Sequence, residues 1–547
     1  MAVYHAQVLD CTLRDGAYLI DKKFGDDVIE GIIEGLVRSH VDLIEVGFFQ
    51  DEGFGEGKTV FKNSQEARRF ISKYKGNDSA PMFTVLADYS RYSAENLDEC
   101  DGTSVDAVRA CFFKAERKGV LDFCRTVKAK GYKLFVQPVD VLGYSDQELI
   151  DLIEDINQIE PYCFSIVDTF GSMYAEDLQR VFSLIDHNLI KTSKIGFHSH
   201  NNMQLSSALS QEFLRMSFGK REVVVDATLS GMGRGAGNTP TELIVQYMVS
   251  KLNYSYEMDA LLDLIDVYIS NIRSRCEWGY NTPYFLAGCY GAHVNNIAYL
   301  QKKNSIRSRD IRYILNKIGA VPRKRYDYNL LENTYLQYVN AEIDDSCTID
   351  KLKQELSGRN ILLLAPGKTV AEYEDAIKTC QKDTNAVTVS VSFIPENIPV
   401  DYLYLSNAKR YEYWKTQPGF KQHKKILTSN IQTEAEEQTY PVSFTRLVKC
   451  SPWDHLDNSM ILLLRLLDEF DIGDIYIAGF DGYSVRETDG QGNYAASYLE
   501  IANQLESVME VNQEISEMLD DYFRTRSSKN AVHFITPSKI WREKENG

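Results

Sequence analysis

The sequence predicts an α/β protein with an N-terminal (β/α)8 TIM barrel, a helical extension and a C-terminal open, Rossmann-like α/β domain. Up to about residue 250, eight short β-rich segments alternate with amphipathic stretches, and eight such units close into a barrel. These segments are apolar along their length, as expected for parallel strands buried on both faces. A second α/β pattern begins near residue 360.

The elements of the barrel follow from this alternation. The predicted strands are Ala6–Asp10, Leu43–Gly47, Phe83–Ala87, Val105–Phe112, Lys133–Pro138, Cys163–Asp168, Lys194–His198 and Val223–Asp226. The amphipathic segments predicted as helices are Asp26–Ser39, Ser64–Tyr74, Lys114–Lys130, Ser145–Ile159, Ala175–Asn188 and Leu205–Phe218. A doubly wound open sheet is the structural alternative, but such sheets rarely reach eight regular repeats.

We predict three parts of the chain: a catalytic barrel over 1–255, a helical extension over 256–345, and a Rossmann-like domain of unknown role over 350–547. The clearest helix of the extension is Leu261–Arg275, and acidic, loop-like sequence around Glu342–Cys347 marks a linker. The strands expected in the last part lie in ILLLAPGKT, VTVSVSF, DYLYLSN, KILTSN and DIYIAGFDGYS.

Composition excludes several classes of function. The 547 residues are 44% hydrophobic and 25% charged, and none of their apolar runs reaches the roughly 18 residues that a membrane span requires. The start of the chain lacks the basic and apolar regions of a signal peptide, so we expect a cytoplasmic protein. A net charge of −18 argues against nucleic-acid binding. The ten cysteines form no CxxC pair, which predicts reduced thiols.

Candidate metal ligands follow two of the predicted strands. Functional groups of a (β/α)8 barrel lie at the carboxyl ends of its strands. The first strand is followed by TLRDG, which contains Arg14 and Asp15, and the seventh ends at His198 and His200. Residues two apart on a strand face the same side, so both imidazoles point to the barrel mouth. Two imidazoles and a carboxylate are a usual ligand set for a divalent ion, and barrel closure would bring Asp15 to them.

The eighth strand is followed by a glycine-rich loop, GMGRGAGN. Glycines let the backbone approach a ligand closely, so Gly233 and Gly235 are candidates for binding a carboxylate or phosphate. Asn238 could add an oxygen ligand to the metal. The other candidates at strand ends are Gln137, Asp168 and Thr169 for substrate, and Glu45, for which an internal ion pair is as credible as a role beside the metal.

The motifs LDCTLRDGAYLI, IEVGFF, VDTFG, IGFHSHNN and LSGMGRGAGN occur in this order. Together they resemble the HMG-CoA-lyase-like, or pyruvate-carboxylase-like, metal-dependent barrels, and most of all the 4-hydroxy-2-oxovalerate aldolases among them. The resemblance covers roughly residues 1 to 250. It implies that Asp15, His198 and His200 bind the metal, with Asn238 as a ligand in some members, and that Arg14 stabilises an enolate oxygen. Mn or Mg is the expected metal, with Zn as the alternative.

One position departs from the family's pattern. Two residues beyond the TLRDG glycine the aldolases carry a histidine that acts as general base, whereas this chain carries Tyr18. A phenol with a pKa near 10 is a poor base at neutral pH, so Tyr18 is expected to act as an acid or to orient the substrate. His293 in the helical extension is a candidate replacement base, although a structural role is the more frequent one for such a histidine.

The resemblance implies an aldolase-type carbon–carbon lyase that acts on a 2-oxo acid through an enolate, in either direction. A Claisen-type transferase that condenses an acyl-CoA with a 2-oxo acid is the first alternative. A non-catalytic, metabolite-binding barrel is the second, and the replacement of the family's base favours it. The expected partners are a small-molecule 2-oxo acid and an aldehyde, without nucleic acid or membrane, and a homo-oligomer is a further possibility.

The C-terminal domain carries one phosphate-loop-like segment, Ala365–Thr369, with the sequence APGKT. A phosphate loop requires a glycine five residues before its GK pair, and that position is Leu362. We therefore reject a nucleoside triphosphatase. A nucleotide or nucleotide-sugar site near Gly367 and Asp481 and a scaffolding role are equally credible for this domain.

Overall fold

The computed structural model describes residues 5–76, 80–303, 306–339, 343–431, 438–448, 458–483 and 508–541. The chain divides into two compact units. Residues 1–297 and 320–325 form the first, and residues 298–319 and 326–547 form the second. Among the residues described, each unit contains one parallel β-sheet.

The first unit is a closed eight-stranded barrel, which confirms the predicted fold. The strands β1 and β2 pair with each other, and β1 also pairs with β9, so that the sheet closes on itself. A short strand, β3, adds to the end of β2 outside the barrel. Its strands are β1 (Ala6–Asp10), β2 (Leu43–Phe49), β3 (Val60–Phe61), β4 (Met82–Asp88), β5 (Ala107–Phe112), β6 (Lys133–Pro138), β7 (Cys163–Asp168), β8 (Lys194–Ser199) and β9 (Val223–Ala227).

Helices surround this barrel and bury apolar side chains such as Ile32, Leu152 and Phe182 against it. The helix Asp146–Asn157 begins at a capping box, in which the Ser145 hydroxyl accepts from the backbone N–H of Glu148. The α-helices described in the first unit are Asp26–Arg38, Ser64–Ile71, Val120–Ala129, Asp146–Asn157, Ala175–Asn188, Ser206–Ser217, Thr241–Leu252, Met258–Leu264, Ser270–Arg273 and Thr282–Tyr290, followed by Val294–Gln301 at the unit boundary.

The second unit contains an open parallel sheet of seven strands in the order β14-β13-β12-β11-β10-β15-β16. The chain order reverses between β10 and β15, as in a doubly wound, Rossmann-like sheet. Its strands are β10 (Ile361–Leu364), β11 (Val387–Val391), β12 (Tyr402–Leu405), β13 (Lys424–Thr428), β14 (Thr439–Val442), β15 (Ile475–Ala478) and β16 (Val532–Phe534). Its described α-helices are Ser308–Ile318, Tyr328–Val339, Ser346–Leu356, Thr369–Glu372, Glu374–Thr384, Ala408–Trp414, Phe444–Leu447, Ser459–Leu467 and Val508–Thr525.

The predicted helical extension, 256–345, is divided between the two units. Residues up to 297 cluster with the barrel, whereas 298–319 and 326–345 cluster with the open sheet. Ion pairs hold the later helices there, because Arg307 contacts both Asp310 and Glu412. The helix predicted over Leu261–Arg275 is also interrupted by a π-helical turn at Ile265–Ile269.

Two further sequence expectations concern membranes and cysteines. None of the helices that the structure describes is long and apolar enough to cross a membrane. Nine of the cysteines are described, and all nine are free thiols. Cys450 lies outside the described residues. The thiols of Cys11, Cys124 and Cys163 are buried.

Candidate metal centre and active site

Asp15, His198 and His200 meet at the carboxyl end of the barrel. Nε2 of His198 lies 3.1 Å from Oδ2 of Asp15, and Nε2 of His200 lies 3.9 Å from the same oxygen. The two imidazole rings are 5.1 Å apart and nearly perpendicular. One potential ligand atom from each residue lies within 4.8 Å of the others. The structure thus brings together the three residues that the sequence singled out as metal ligands.

Backbone hydrogen bonds within the loop after β1 hold Asp15 in position. The N–H groups of Arg14 and Asp15 both donate to the carbonyl of Cys11, at 3.1 and 2.8 Å. Asp10 caps the turn by accepting from the N–H of Thr12 at 2.9 Å. The Thr12 hydroxyl in turn accepts from the N–H of Leu229, which joins this loop to the loop after β9. Closure of the barrel therefore sets the position of the carboxylate relative to the histidines.

Two buried oxygen atoms at this site fit a bound divalent ion. Oδ1 of Asp15 and Oδ1 of Asn238 are both buried, and neither has a hydrogen-bond partner among the residues described. Asn238 forms a bridge with His200 through the backbone, while its Nδ2 donates to the carbonyl of Met232 at 3.1 Å. That bond orients the amide and leaves the oxygen free to act as a ligand. Leaving such atoms without a partner is costly, and a metal ion would satisfy them.

A ring of charged side chains lies beneath the ligands. Oε2 of Glu45 accepts from Nε of Arg14 at 2.7 Å and from Nη1 of Arg109 at 2.8 Å. Arg109 also pairs with Asp226. Asp226 faces Nδ1 of His198 at 3.0 Å, while Arg14 closes the ring by donating to Asp15 at 2.8 Å. Glu45 thus takes part in an internal ion pair and also positions Arg14 at the candidate metal centre.

The ring determines the ionisation of its members. Burial lowers the pKa of His198, but hydrogen bonds to Asp15 and Asp226 outweigh this effect and raise it. Burial raises the pKa of Asp15, but Arg14 and the two histidines hold it well below its usual range. Burial lowers the pKa of His200 to about 3. Asp15 is therefore a carboxylate and His200 a neutral imidazole at pH 7, the forms in which both bind metals.

A second triad, Cys11, His198 and Asp226, has the spacing of a metal site as well. Its groups are already engaged: Asp226 is paired with Arg109, and the Cys11 thiol contacts the carbonyl of Ala227 at 3.3 Å. Burial also raises the pKa of that thiol well above its usual value, so that it stays protonated. The site with Asp15 and His200 is therefore the better candidate.

The glycines of the loop after β9 are explained by close packing around this site. A Cβ on Gly233 would lie 2.2 Å from Nδ2 of Asn238, and one on Gly235 would lie 2.7 Å from Oδ1 of Asn202. Gly235 also has a φ of 67°, which disfavours other residues. Both Cβ positions face protein amides, which accounts for glycine at each of them. Binding of a carboxylate or phosphate by the backbone of this loop stays a prediction.

Gln137, Asp168 and Thr169 are engaged by the protein itself. In the amide orientation that its neighbours require, Gln137 accepts from Ser165 and from Nη2 of Arg109 at 3.0 Å. The Asp168 carboxylate accepts from the N–H of Ser172 at 2.9 Å, and Thr169 accepts from the N–H of Asp140 at 2.8 Å. Burial raises the pKa of Asp168 to about 6. Substrate binding by these residues stays a prediction.

Tyr18 lies beside the ligands in contact with a second arginine. The guanidinium of Arg234 lies 4.0 Å from the centre of the Tyr18 ring, a cation–π contact. Nε of Arg234 is buried and has no hydrogen-bond partner within the described part of the chain. Burial raises the pKa of Tyr18 above its usual value, against the influence of Arg234 and Arg14. The phenol therefore remains protonated at neutral pH and can donate a proton or a hydrogen bond.

His293 lies near the glycine-rich loop. The side chain of the next residue, Val294, would be 2.9 Å from a Cβ atom built on Gly235 of that loop. Nδ1 of His293 lies 3.2 Å from the N–H of Asn295 and accepts from it. Burial, with a contribution from Arg234, lowers the pKa of His293 to about 4. The imidazole is neutral at pH 7 with its proton on Nε2, which suits a hydrogen-bond donor better than a base.

Comparison with known proteins agrees with this geometry, since residues 5–268 match the HMGL-like family model. They form an HMGL-like domain. An oxaloacetate decarboxylase of Mycobacterium tuberculosis is 25% identical over 238 residues, 44% of this chain and 68% of that protein. A 4-hydroxy-2-oxovalerate aldolase of Moorella thermoacetica is 25% identical over 323 residues, 57% of this chain and 91% of that protein. The HMG-CoA lyase structure of Bacillus subtilis aligns at 17% identity with a TM-score of 0.39, covering 50% of this chain and 94% of that one.

Sequence reasoning missed three charged residues of the HMGL-like domain: Arg109, Asp226 and Arg234. A signal for the first two was available, because each is a charged residue inside an otherwise apolar strand, and such a charge is almost always paired. Their pairing across the barrel interior could not be read from spacing. Arg234 was named only as part of the glycine-rich loop, and its contact with Tyr18 depends on how that loop folds.

Outside the HMGL-like domain, Gly367 and Asp481 do meet where the strand order of the open sheet reverses. The Asp481 carboxylate accepts from the N–H of Thr369 at 2.9 Å and also from the Thr369 hydroxyl. A Cβ on Gly367 would lie 2.3 Å from the carbonyl of Gly479. A protein carboxylate thus takes the Thr369 N–H that a phosphate group would need, which argues against a phosphate at this loop.

Proposed function

We propose that the HMGL-like domain is a metal-dependent, aldolase-type carbon–carbon lyase that acts on a 2-oxo acid. One observation carries this proposal: a carboxylate and two imidazoles converge beside Arg14 at the mouth of the barrel. Asn238, whose amide oxygen has no hydrogen-bond partner among the described residues, pairs with His200 through the backbone. The names of its relatives, an oxaloacetate decarboxylase and 4-hydroxy-2-oxovalerate aldolases, are consistent with such chemistry. Two nitrogen and two oxygen ligands favour Mn or Mg, with water in the remaining positions.

The reaction makes or breaks the bond between the carbon next to the ketone and a hydroxyl-bearing carbon, which is the carbonyl carbon of the free aldehyde. On cleavage, a base takes the proton of the hydroxyl group, the departing carbon becomes an aldehyde, and the electron pair of the broken bond moves onto the ketone oxygen as an enolate. A divalent ion held by Asp15, His198, His200 and Asn238 would supply Lewis-acid stabilisation of this negative charge. Arg14 adds a fixed positive charge, since Glu45 and Asp15 hold its guanidinium in place.

The groups around the ligands suit proton donation to an aldehyde oxygen. Tyr18 is a protonated phenol, and His293 is a neutral imidazole with its proton on Nε2. When an enolate adds to an aldehyde, the aldehyde oxygen gains negative charge and takes up a proton. In this proposal Tyr18 supplies the hydrogen bond there, because its ring lies against Arg234 and its backbone N–H donates to the carbonyl of Asp15. A role for His293 as a second donor stays a prediction. The Tyr18 phenol takes the proton back during cleavage, so this arrangement serves the synthetic direction, in which a 2-oxo acid is joined to an aldehyde, as well as cleavage.

Exchange of the methyl protons of pyruvate in D2O tests the proposal without any aldehyde. With added Mn or Mg we expect exchange that chelation abolishes and that Arg14→Ala slows by about 10²–10³-fold, the effect of removing one oxyanion donor. His200→Ala should lose both metal binding and exchange. An exposed variant on the outer barrel, Lys118→Met, provides the matched control for handling and folding.

Exchange that proceeds equally well without metal would contradict the proposed role of the Asp15 site. Tight metal binding without pyruvate exchange would instead favour the Claisen-type alternative. In that case enolisation of an acyl thioester, followed by the same loss of protons in D2O, would be the reaction to detect.

A further inference from the structure

We propose that a cavity beside Tyr18 is the subsite for the aldehyde and that it selects a neutral, polyhydroxylated, sugar-like aldehyde. The cavity has a volume of about 450 Å³ and is open on one side. Small-molecule sites in proteins span about 300–1,000 Å³, so this cavity is larger than a two-carbon aldehyde requires. The inference rests on the proposed function, because it names the substrate class of the same site.

Tyr18 connects the cavity with the candidate metal centre, because it lines the cavity and follows the turn that contains Asp15. Its backbone N–H donates to the carbonyl of Asp15 in the turn after β1, and its ring lies edge-on against Phe48 at 5.2 Å. Phe48 in turn is 4.8 Å from the ammonium of Lys22, which lines the cavity. In this proposal a substrate with its reacting carbon at the metal centre extends past Tyr18 into the cavity.

The polar side chains of the lining carry balanced charges. Two are cationic, Lys22 and Lys58, and two are anionic, Asp21 and Glu52. The amide of Gln50 also lines the cavity and accepts from the Lys22 ammonium at 2.6 Å. A hydroxyl group both donates and accepts, so a chain of hydroxyls can pair with ammonium and carboxylate groups alike. A ligand with a net charge would face a repelling group as well as an attracting one.

An aromatic ring completes the lining, and the surrounding loops are held in place. Phe54 stacks on Phe61, and its N–H donates to Oε2 of Glu66 at 2.7 Å. Lys22 and Lys58 lie on segments that pair with each other, since the carbonyl of Lys22 accepts from the N–H of Thr59 at 3.0 Å. The cavity is thus a built feature that offers an apolar face for the carbon skeleton and polar groups for its hydroxyls.

A steric variant tests the assignment. Gly55 lines the cavity, and a Cβ there would approach only the flexible side chain of Lys58, at 3.2 Å. With pyruvate as the donor, the wild-type protein should use D-erythrose with a kcat/KM at least about tenfold above that for propanal. Gly55→Phe should bring this ratio close to one. Lys58→Met should lower the ratio partially. Lys62 is an exposed lysine outside the cavity, so Lys62→Met is the matched control.

Binding is measured separately, by saturation transfer from the protein to erythritol observed by NMR. The inference predicts transfer to erythritol that Gly55→Phe abolishes and Lys62→Met retains. Three results with the wild-type protein would overturn it: equal kcat/KM values for propanal and erythrose, a higher kcat/KM for the anionic aldehyde glyoxylate than for either, or no saturation transfer to erythritol. Pyruvate exchange requires no aldehyde, so a wild-type protein without exchange would refute the proposed function rather than this inference. The erythritol measurement would still show whether the cavity binds a polyol.

Discussion

Replacing Asp226 by Asn tests whether the buried charges beneath the metal ligands serve the metal site or only the fold. Asp226 faces Nδ1 of His198 at 3.0 Å and pairs with Arg109. With a metal ion bound, the Asp226 carboxylate would hold the proton of His198 on Nδ1 and leave the Nε2 lone pair for the ion. Asn keeps the shape of the side chain but removes the charge and allows the amide to flip.

Two effects of different size are expected. Changes at a residue that orients a metal-binding histidine lower metal affinity by about 10–100-fold, or about 1.4–2.8 kcal/mol. Breaking one partner of a buried ion pair costs about 3–5 kcal/mol of stability. We expect the lower end of this range, because Arg109 retains Glu45 at 2.8 Å. Titration with Mn²⁺ followed by electron paramagnetic resonance gives the affinity, and urea unfolding with chelator gives the stability.

Asp186→Asn is the matched control. Asp186 pairs with Nε of the buried Arg221 at 2.7 Å, away from the metal ligands. Its loss should lower stability while leaving Mn²⁺ affinity unchanged. If Asp226→Asn also lost only stability and bound Mn²⁺ with wild-type affinity, the reasoning that Asp226 orients His198 for a metal would be refuted.

Three further changes have defined outcomes. Asn238→Ala should weaken Mn²⁺ binding at least about tenfold, because it removes the unpaired amide oxygen; unchanged affinity in the same titration would exclude Asn238 as a ligand. Tyr18→Phe keeps the ring under Arg234 and should slow aldol addition by about 10²–10⁴-fold while pyruvate exchange continues, and equal losses in both assays would contradict its role as a donor to the aldehyde. Burial raises the pKa of Asp10 to about 6 from 3.8, so its stabilising contribution is present below about pH 4 and is lost as the pH rises through 6. Asp10→Asn should therefore gain stability relative to the wild type between pH 4 and pH 7, by on the order of 2–3 kcal/mol in urea unfolding, and a constant difference would contradict this.

Most of the barrel could be predicted from the sequence because its strands are buried on both faces and regularly spaced. The predicted bounds of Lys133–Pro138 and Cys163–Asp168 agree with the structure at both ends. The short strand Val60–Phe61 was missed, since two residues show no periodicity. In the second unit, the edge strand Thr439–Val442 was also missed. It contains an exposed proline at position 441, and a proline interrupts the sequence pattern by which a strand is predicted.

The candidate metal ligands could be predicted for a similar reason. His198 and His200 have the two-residue spacing of one strand face, and closure of an eight-stranded barrel places Asp15 beside them. The sequence also singles out Glu45 for an internal ion pair, but its partners cannot be predicted, because Arg109, Asp226 and Glu45 come from three different strands and meet only in the barrel interior. The role of Tyr18 likewise depends on its burial and on Arg234, which are properties of the folded loops.

The central claim is that a divalent ion at Asp15, His198 and His200 lies next to a bound 2-oxo acid. Paramagnetic broadening of the pyruvate methyl resonance by protein-bound Mn²⁺ measures this directly, since the effect falls steeply with distance from the ion. The account predicts one Mn²⁺ site per chain and broadening that His198→Ala and Asp15→Ala abolish while Asp186→Asn retains it. A methyl resonance that Mn²⁺ leaves sharp in the wild-type protein, or broadening that survives loss of Asp15, would contradict the account.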